Sequence, residues 1–148
     1  MEHLSEGLIA VLKEQIHCAE AMLTTLGHEN EALLRGDAER LNAAGATKAQ
    51  LVETLESLEH QRRSLAEAIT AGVAATAGPG AAADPEWRRL LDLIGECKQQ
   101  NERNGALVKA RSEQVRTALR ALRGTEPDLY GRSGLAPAAG DARSLGRA

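Results

Sequence analysis

Residues Asn30–Leu41, "NEALLRGDAERL", are the most informative part of the chain, because they hold the end of one helical segment and the start of the next. Gly36 suits the left-handed position that closes many helices, since glycine adopts positive φ without a Cβ clash. Asp37 suits the N-cap of the following helix, where a carboxylate accepts a backbone N–H. So short a connection makes consecutive helices antiparallel neighbours. The stretch therefore predicts a helical hairpin.

The segments on both sides of this turn carry the apolar spacing of packed helices, with steps of three and four residues. They predict helices over about 4–35 and 38–71. The upstream seam is Ile9, Leu12, Ile16, Ala19, Leu23, Leu26 and Leu33, widened by Leu8, Met22 and Leu34. The downstream seam is Leu41, Ala44, Lys48, Leu51, Leu55, Leu58, Arg62, Leu65 and Ile69, with Val52 beside it. Gly45 lies inside the second helix, where glycine costs about 1 kcal/mol relative to alanine, and it predicts a fray or a bend.

A third helix is predicted over about 85–123, after a linker at 72–83. The linker contains Gly78-Pro79-Gly80, which is typical of a break between helices. Asp84 is predicted as the N-cap and Pro85 as the first helical residue, where the missing N–H costs nothing. The seam of this helix has strict heptad spacing: Trp87, Leu90, Ile94, Cys97, Asn101, Asn104, Val108, Arg111, Val115, Ala118 and Leu122.

The middle of the third helix is polar, because Asn101 and Asn104 are consecutive seam positions with Gly105 beside them. One interpretation is a polar layer that fixes the register of the bundle, with Gly105 allowing close helix approach. The other is that the C-terminal half of the helix leaves the bundle to hold a partner. The sequence leaves both interpretations open.

The last segment, 125–148, is rich in Gly, Ala, Pro and Arg, and we expect a flexible tail. It contains Tyr130, the single tyrosine of the chain, next to Leu129. Such a pair in a tail resembles a short docking motif, and the alternative is that Tyr130 folds back on the bundle. We therefore expect a helical domain at 1–124, followed by the tail.

Composition agrees with long helices. Aromatic residues make up 1% of the chain, whereas a compact globule relies on them for buried area. A narrow seam of Leu, Ala and Val between long helices needs none. The fold class predicted is all-α, an elongated antiparallel hairpin plus a long third helix, as in a three-helix bundle or coiled coil.

No catalytic or metal-binding arrangement can be assembled from the sequence. The histidines are His3, His17, His28 and His60. His17 and Cys18 are adjacent and point about 100° apart on a helix, no i, i+4 ligand partner completes a site there, and no phosphate-binding loop is present. We therefore expect no enzymatic activity, no cofactor and no metal. No secretory signal or membrane span is visible. Cys18 and Cys97, far apart and in no CxxC pair, indicate small core residues in a reduced cytosolic protein.

Charge is unevenly distributed along the chain. Residues 1–85 carry 6 Lys/Arg and 13 Asp/Glu, net -7, whereas residues 86–148 carry 12 Lys/Arg and 8 Asp/Glu, net +4. Complementary helix faces are the simplest explanation. The third helix is basic, but its charges spread around the helix without stacking aromatics, which argues against nucleic-acid binding.

The C-terminal part of the chain resembles a known family. The stretch 97–124, "CKQQNERNGALVKARSEQVRTALRALRG", followed by "LYGRSG" at 129–134, resembles the C-terminal signature of the FlgN family of flagellar export chaperones. The order of Cys97–Asn101, the Asn104-Gly105 pair, the leucine-rich run and the tyrosine tail carries the resemblance. The helix arrangement upstream is similar too, although the linker at 72–83 is unusually long.

The resemblance implies a cytoplasmic chaperone that binds the disordered terminal segments of the hook–filament junction proteins FlgK and FlgL. It would prevent their premature assembly and degradation and deliver them to the flagellar type III export gate. The implied cargo-binding residues are Asn101, Asn104, Gly105, Val108, Arg111, Val115, Leu119 and Leu122. The implied docking residues for the cytoplasmic domain of the gate protein FlhA are Leu129, Tyr130 and Gly131. Neither nucleic acid nor membrane insertion is implied.

Two other functions remain compatible with the sequence. One is a structural helical-bundle protein that self-assembles through its seams. The other is a nucleic-acid-binding regulator that uses the basic third helix. The oligomeric state is open at this stage.

Overall fold

Three α-helices make up the part of the chain that the computed structural model describes, residues 2–73 and 80–125. In chain order they are α1 (Glu2–Arg35), α2 (Ala38–Val73) and α3 (Gly80–Thr125). No strand occurs within these ranges. The predicted all-α class is therefore confirmed. The chain divides into two compact units, Met1–Ala106 and Leu107–Ala148.

The turn between α1 and α2 has the geometry that its sequence predicts. Gly36 has a φ of 68°, and its N–H donates to the carbonyl of Leu33 at 3.4 Å. The N–H of Asp37 donates to the carbonyl of Ala32 at 2.9 Å, which completes a Schellman motif. The carboxylate of Asp37 then accepts the backbone N–H of Arg40 at 3.0 Å. The helix closure at Gly36 and the N-cap at Asp37 are both confirmed.

The core of the first unit forms around α1, which buries side chains on two sides. One cluster joins all three helices and consists of Leu8, Leu12, Ala19, Ile69, Leu90 and Leu93. A second cluster joins α1 to α2 and consists of Val11, Cys18 and Leu58. A fully buried leucine contributes roughly 1.5–3 kcal/mol to stability. These clusters therefore hold the three helices together without any aromatic side chain at their centre.

Helix α3 runs parallel to α1 within the first unit. Cys97 Sγ lies 3.4 Å from the carbonyl oxygen of Ala19, and Asn104 Nδ2 lies 2.9 Å from that of Leu26. The second contact is seven residues further along both helices, so the two helices advance in the same direction. The first unit is thus an up-down-up arrangement of helices.

The seam of α3 differs from the predicted one at alternate positions. Leu90, Cys97 and Asn104 are buried or half-buried as expected, but Leu93 is buried in place of Ile94, which is 47% exposed. Likewise Gln100 and Leu107 are half-buried, whereas the predicted Asn101 and Val108 are exposed. Both registers have steps of three and four. In each case the predicted and the observed seam residue are adjacent and have the same polarity. The sequence therefore could not distinguish the two registers.

Two smaller seam predictions are also corrected. Leu34, expected to widen the seam of α1, is 62% exposed. Helix α2 is continuous through Gly45, where a fray or bend was expected. Packing of the surrounding α2 residues against α1 outweighs the propensity cost of one glycine, as tertiary contacts commonly do.

The start of α3 lies earlier than the capping signals predict. The helix begins at Gly80, so Asp84 and Pro85 lie inside it rather than at its N-cap and first position. Alanine has the highest helix propensity, and the run 81–83 extends the helix backwards. Pro85 then forfeits one intrahelical hydrogen bond, which a position near the helix end tolerates.

The predicted linker and tail fall partly or wholly outside the described residues. Helix α2 extends to Val73, and residues 80–83 are helical, so only 74–79 of the linker lies outside. The predicted tail lies outside from residue 126 onward.

Candidate protein-binding site

Asn104 is a buried polar residue at the contact of α3 with α1, with 1% of its surface exposed. Its Nδ2 donates to the carbonyl of Leu26 at 2.9 Å and to Glu29 Oε1 at 3.0 Å. Its Oδ1 accepts from Asn30 Nδ2 and from Gln100 Nε2, each at 3.1 Å. The amide therefore uses both of its donors and both acceptor positions. Such a fully satisfied amide fixes the register of two helices.

Lys48 extends this polar layer to α2. Its Nζ lies 3.4 Å from Glu29 Oε2 and donates to Asn101 Oδ1. The contacts match the interpretation of residues 101–104 as a register-fixing layer. The proposed role of Gly105 is wrong, because a Cβ built at Gly105 meets nothing within 4 Å outside its own helix. Close approach at this point therefore does not require a glycine.

A second polar cluster joins the three helices nearer the start of α3. Glu59 accepts from Arg62 Nε and Nη2 and from Arg63 Nε, all at 2.8 Å, and from Gln15 Nε2 at 3.2 Å. The hydrogen bond from Arg62 is the largest cause that lowers the pKa of Glu59 to about 2. The Arg62 guanidinium also lies 4.7 Å from the ring centroid of Trp87, a cation–π distance. This cluster therefore attaches α3 to the hairpin.

Between α2 and α3 the first unit has an open apolar groove of about 290 Å³, which we call the α2–α3 groove. Its floor consists of buried α1 side chains: Ala19, Met22 and Leu26. Its walls are Val52 and Leu55 on α2, and Ile94 and Cys97 on α3. The polar lining residues are Lys48, Lys98 and Asn101. Val52 and Ile94 are 42% and 47% exposed, so large aliphatic side chains face solvent along both walls.

The second unit includes the C-terminal part of α3, residues 107–125, which presents an apolar stripe. Val108, Val115, Leu119 and Leu122 recur at helical spacing and are 46–67% exposed. The segment carries five Lys/Arg residues and one Asp/Glu. An apolar stripe bordered by basic residues is typical of a helix face that binds another polypeptide.

The structure brings the predicted cargo-binding residues into different surroundings. Asn104 is buried inside the polar layer, whereas Asn101 lines the α2–α3 groove. Val108, Arg111, Val115, Leu119 and Leu122 all belong to the second unit. The predicted docking residues Leu129, Tyr130 and Gly131 lie outside the described part of the chain.

Sequence reasoning missed the α2–α3 groove. Its walls are built from Val52, which was noted only as a neighbour of the α2 seam, and from Ile94, which was assigned to the α3 seam. The sequence feature that could have indicated the groove was an apolar residue, Val52, next to a seam that was already complete. Such residues widen an apolar face beyond what two helices bury.

The side chains described here offer little reactive chemistry. Both cysteines are free thiols, and burial raises the pKa of Cys18 and, together with the nearby Glu96, that of Cys97. A raised pKa keeps a thiol mostly protonated at neutral pH, which slows its reaction with electrophiles. Within 2–73 and 80–125, no three His, Cys, Asp or Glu side chains could hold a metal ion together. Within the same ranges, no helix has the length and apolarity to cross a membrane.

A helical hairpin, a third helix and exposed apolar faces define an all-α protein whose surface is suited to contacts with other polypeptides. Comparison with protein families gives a match to the FlgN protein family over residues 1–138. The chain therefore belongs to the FlgN family. The family consists of flagellar export chaperones, and membership implies binding of flagellar hook-associated proteins in general. No curated protein and no solved structure matches the chain.

Proposed function

We propose that the protein binds the C-terminal segments of FlgK- and FlgL-type hook-associated proteins in the cytoplasm and delivers them to the flagellar export gate. In this function residues 1–124 are the chaperone domain, and bound cargo is kept from premature assembly and degradation. No catalytic step is involved. Family membership supports the general role, and the choice of cargo is our proposal.

The observation that carries this proposal is the exposed apolar stripe of residues 107–125. Val115 and Leu119 are 58% and 46% exposed, so their side chains offer apolar surface that a bound polypeptide would bury. Burying about 250 Å² of apolar surface at ~25 cal/mol per Å² gives roughly 6 kcal/mol before the cost of association. An amphipathic helix of the cargo, disordered until bound, fits such a stripe.

We further propose that Leu129, Tyr130 and Gly131 dock to the cytoplasmic domain of the gate protein FlhA. The support is the family resemblance and the position of one aromatic residue in a Gly- and Pro-rich segment. Because cargo and gate would use different residues, Tyr130→Ala should leave cargo affinity unchanged and weaken gate binding. Loss of cargo binding in this variant would mean that Tyr130 contributes to the cargo site.

The stripe is tested with a matched pair of substitutions on one helix. Val115→Glu places a charge on the apolar stripe, whereas Thr117→Glu places it about 200° around the helix from Val115. Val and Thr have the same shape, and both positions are exposed. We expect Val115→Glu to weaken binding of a FlgK C-terminal fragment at least about tenfold by calorimetry, and Thr117→Glu to change it less than about twofold.

Equal affinities for both variants would remove the stripe from the cargo site. No binding by the wild-type chain to either FlgK or FlgL fragments would overturn the proposed cargo. In that case sedimentation would decide the self-assembling alternative, which requires a stable oligomer at low concentration.

A further inference from the structure

The α2–α3 groove lies within the first unit and contains no residue of the 107–125 stripe. We propose that this groove binds an amphipathic helix of the cargo that has carboxylates beside its apolar face. The proposal rests on the proposed chaperone function and adds to it a second binding surface with its own chemistry.

The dimensions of the groove fit a helix. Its lining residues extend from Lys48 to Leu55 on α2 and from Ile94 to Asn101 on α3, a span of eight residues on each wall. The seven steps between the first and last residue correspond to about 10 Å, or two turns. A helix laid between two parallel or antiparallel helices completes a four-helix arrangement. Side chains at i, i+3 or i+4, and i+7 of the incoming helix would then meet the groove.

The groove is less suited to a small molecule. Its volume of about 290 Å³ lies at the lower limit of the roughly 300–1,000 Å³ typical of such pockets. It is open to solvent, and its walls include the exposed aliphatic side chains of Val52 and Ile94. A row of aliphatic side chains on a partner helix matches this lining better than a compact ligand does.

The charges around the groove indicate which side chains should border the apolar face of the incoming helix. None of the lining residues is acidic, and two are lysines. Lys48 is already neutralised by Glu29, but Lys98 is exposed and makes no ion pair or hydrogen bond with any described residue. A carboxylate on the incoming helix would meet Lys98 and increase both specificity and association rate.

The same charges exclude a second copy of the exposed α3 segment. Residues 107–125 carry five Lys/Arg and one Asp/Glu, so this segment would bring like charge to Lys98. Like charges at an interface disfavour the wrong partner. The occupant that we propose is a cargo helix, because a chaperone's cargo is the polypeptide expected to present one.

The test uses Ile94→Glu, which places a charge in the groove wall, and Leu91→Glu as its control. The two residues lie one turn apart on α3 with exposures of 47% and 48%, but only Ile94 lines the groove. Calorimetry measures binding of the FlgK C-terminal fragment to each full-length variant, with circular dichroism to verify the fold. We expect Ile94→Glu to weaken binding at least about tenfold and Leu91→Glu less than about twofold.

Charge is tested with a second pair. Lys98→Glu should weaken binding about threefold to tenfold, whereas Lys13→Glu, an exposed lysine of α1 outside the groove, should not. A third readout leaves every groove residue unchanged and follows the thiol of Cys97, which lies in the groove wall. In a Cys18→Ala background, saturating cargo should slow alkylation of Cys97 at least about tenfold.

The outcomes separate this inference from the proposed function. If the wild-type chain binds cargo, Val115→Glu weakens it, and Ile94→Glu and Cys97 alkylation are unaffected, the groove is not a cargo site and the chaperone function stands. If the wild-type chain binds no cargo, both proposals are overturned. Selective loss in Ile94→Glu together with Cys97 protection supports the groove.

Discussion

A buried amide costs free energy unless each of its polar atoms finds a partner. Asn104 meets this condition through one carbonyl and three side chains, and two of those three come from α1. An alternative register of α3 would leave several of these groups unpaired. At the scale of single residues, this asparagine therefore does more to position α3 than any one aliphatic contact.

Asn104→Ala should lower the free energy of unfolding by about 2–4 kcal/mol, because it removes the four hydrogen bonds of a buried amide and leaves a cavity at the contact of α3 with α1. Asn42→Ala, an exposed asparagine on α2, should change it by less than about 0.5 kcal/mol. Urea unfolding measures both. A loss for Asn104→Ala no larger than the control's would mean that the network contributes no net stability.

Glu59 provides a pH-dependent contribution at the same scale. Its pKa is lowered from 4.5 to about 2 in the folded protein, mainly by Arg62. The contribution is therefore complete above pH 4.5 and is lost as the pH falls towards 2. The side chain is 36% exposed, so solvent screening reduces the benefit to about 1 kcal/mol.

Glu59→Gln should lower the free energy of unfolding by about 1 kcal/mol at pH 7, and the difference from the wild-type chain should shrink between pH 4.5 and pH 2. Glu67→Gln, an exposed position on α2, serves as the control. Urea titrations at several pH values give the comparison. A difference that stays constant across this pH range would contradict the role of Glu59.

At the scale of elements, the glycines of the hairpin are not equivalent. Gly36 has a φ of 68°, a conformation that other residues rarely adopt, whereas Gly45 lies in regular helix with space for a Cβ. Gly36→Ala should lower the free energy of unfolding by about 1 kcal/mol, and Gly45→Ala should raise it by about 0.5–1 kcal/mol. Thermal and urea unfolding measure the two changes in stability. Changes of the same sign would contradict the different roles of Gly36 and Gly45.

The elements also show how far sequence reasoning extends. Gly36 and Asp37 predicted the hairpin because local backbone geometry determined it. The register of α3 could not be predicted, since Leu93 and Ile94 are both apolar and the choice depends on the facing helix. Asn104 was identified as a seam residue, but its partners on α1 are seventy-odd residues away in sequence and only the fold brings them together.

At the scale of the molecule, the described parts differ in charge. Residues 2–73 carry 6 Lys/Arg and 12 Asp/Glu, whereas residues 107–125 carry five and one. The charge asymmetry could be counted directly from the sequence. The family resemblance could be read from the C-terminal motif, which is a continuous stretch of residues. The sequence did not show the α2–α3 groove, which depends on how three helices share a limited set of apolar side chains.

Trp87 is the only tryptophan of the chain, and it stacks with Arg62 where α3 meets α2. With no phenylalanine and one tyrosine, the chain has one dominant fluorophore. Its emission spectrum therefore reports the attachment of α3, whereas far-ultraviolet circular dichroism reports total helix content. If the two signals change at the same denaturant concentration, the helices unfold together. A change in emission at a lower denaturant concentration would reveal an intermediate in which the α1–α2 hairpin remains folded after α3 has detached.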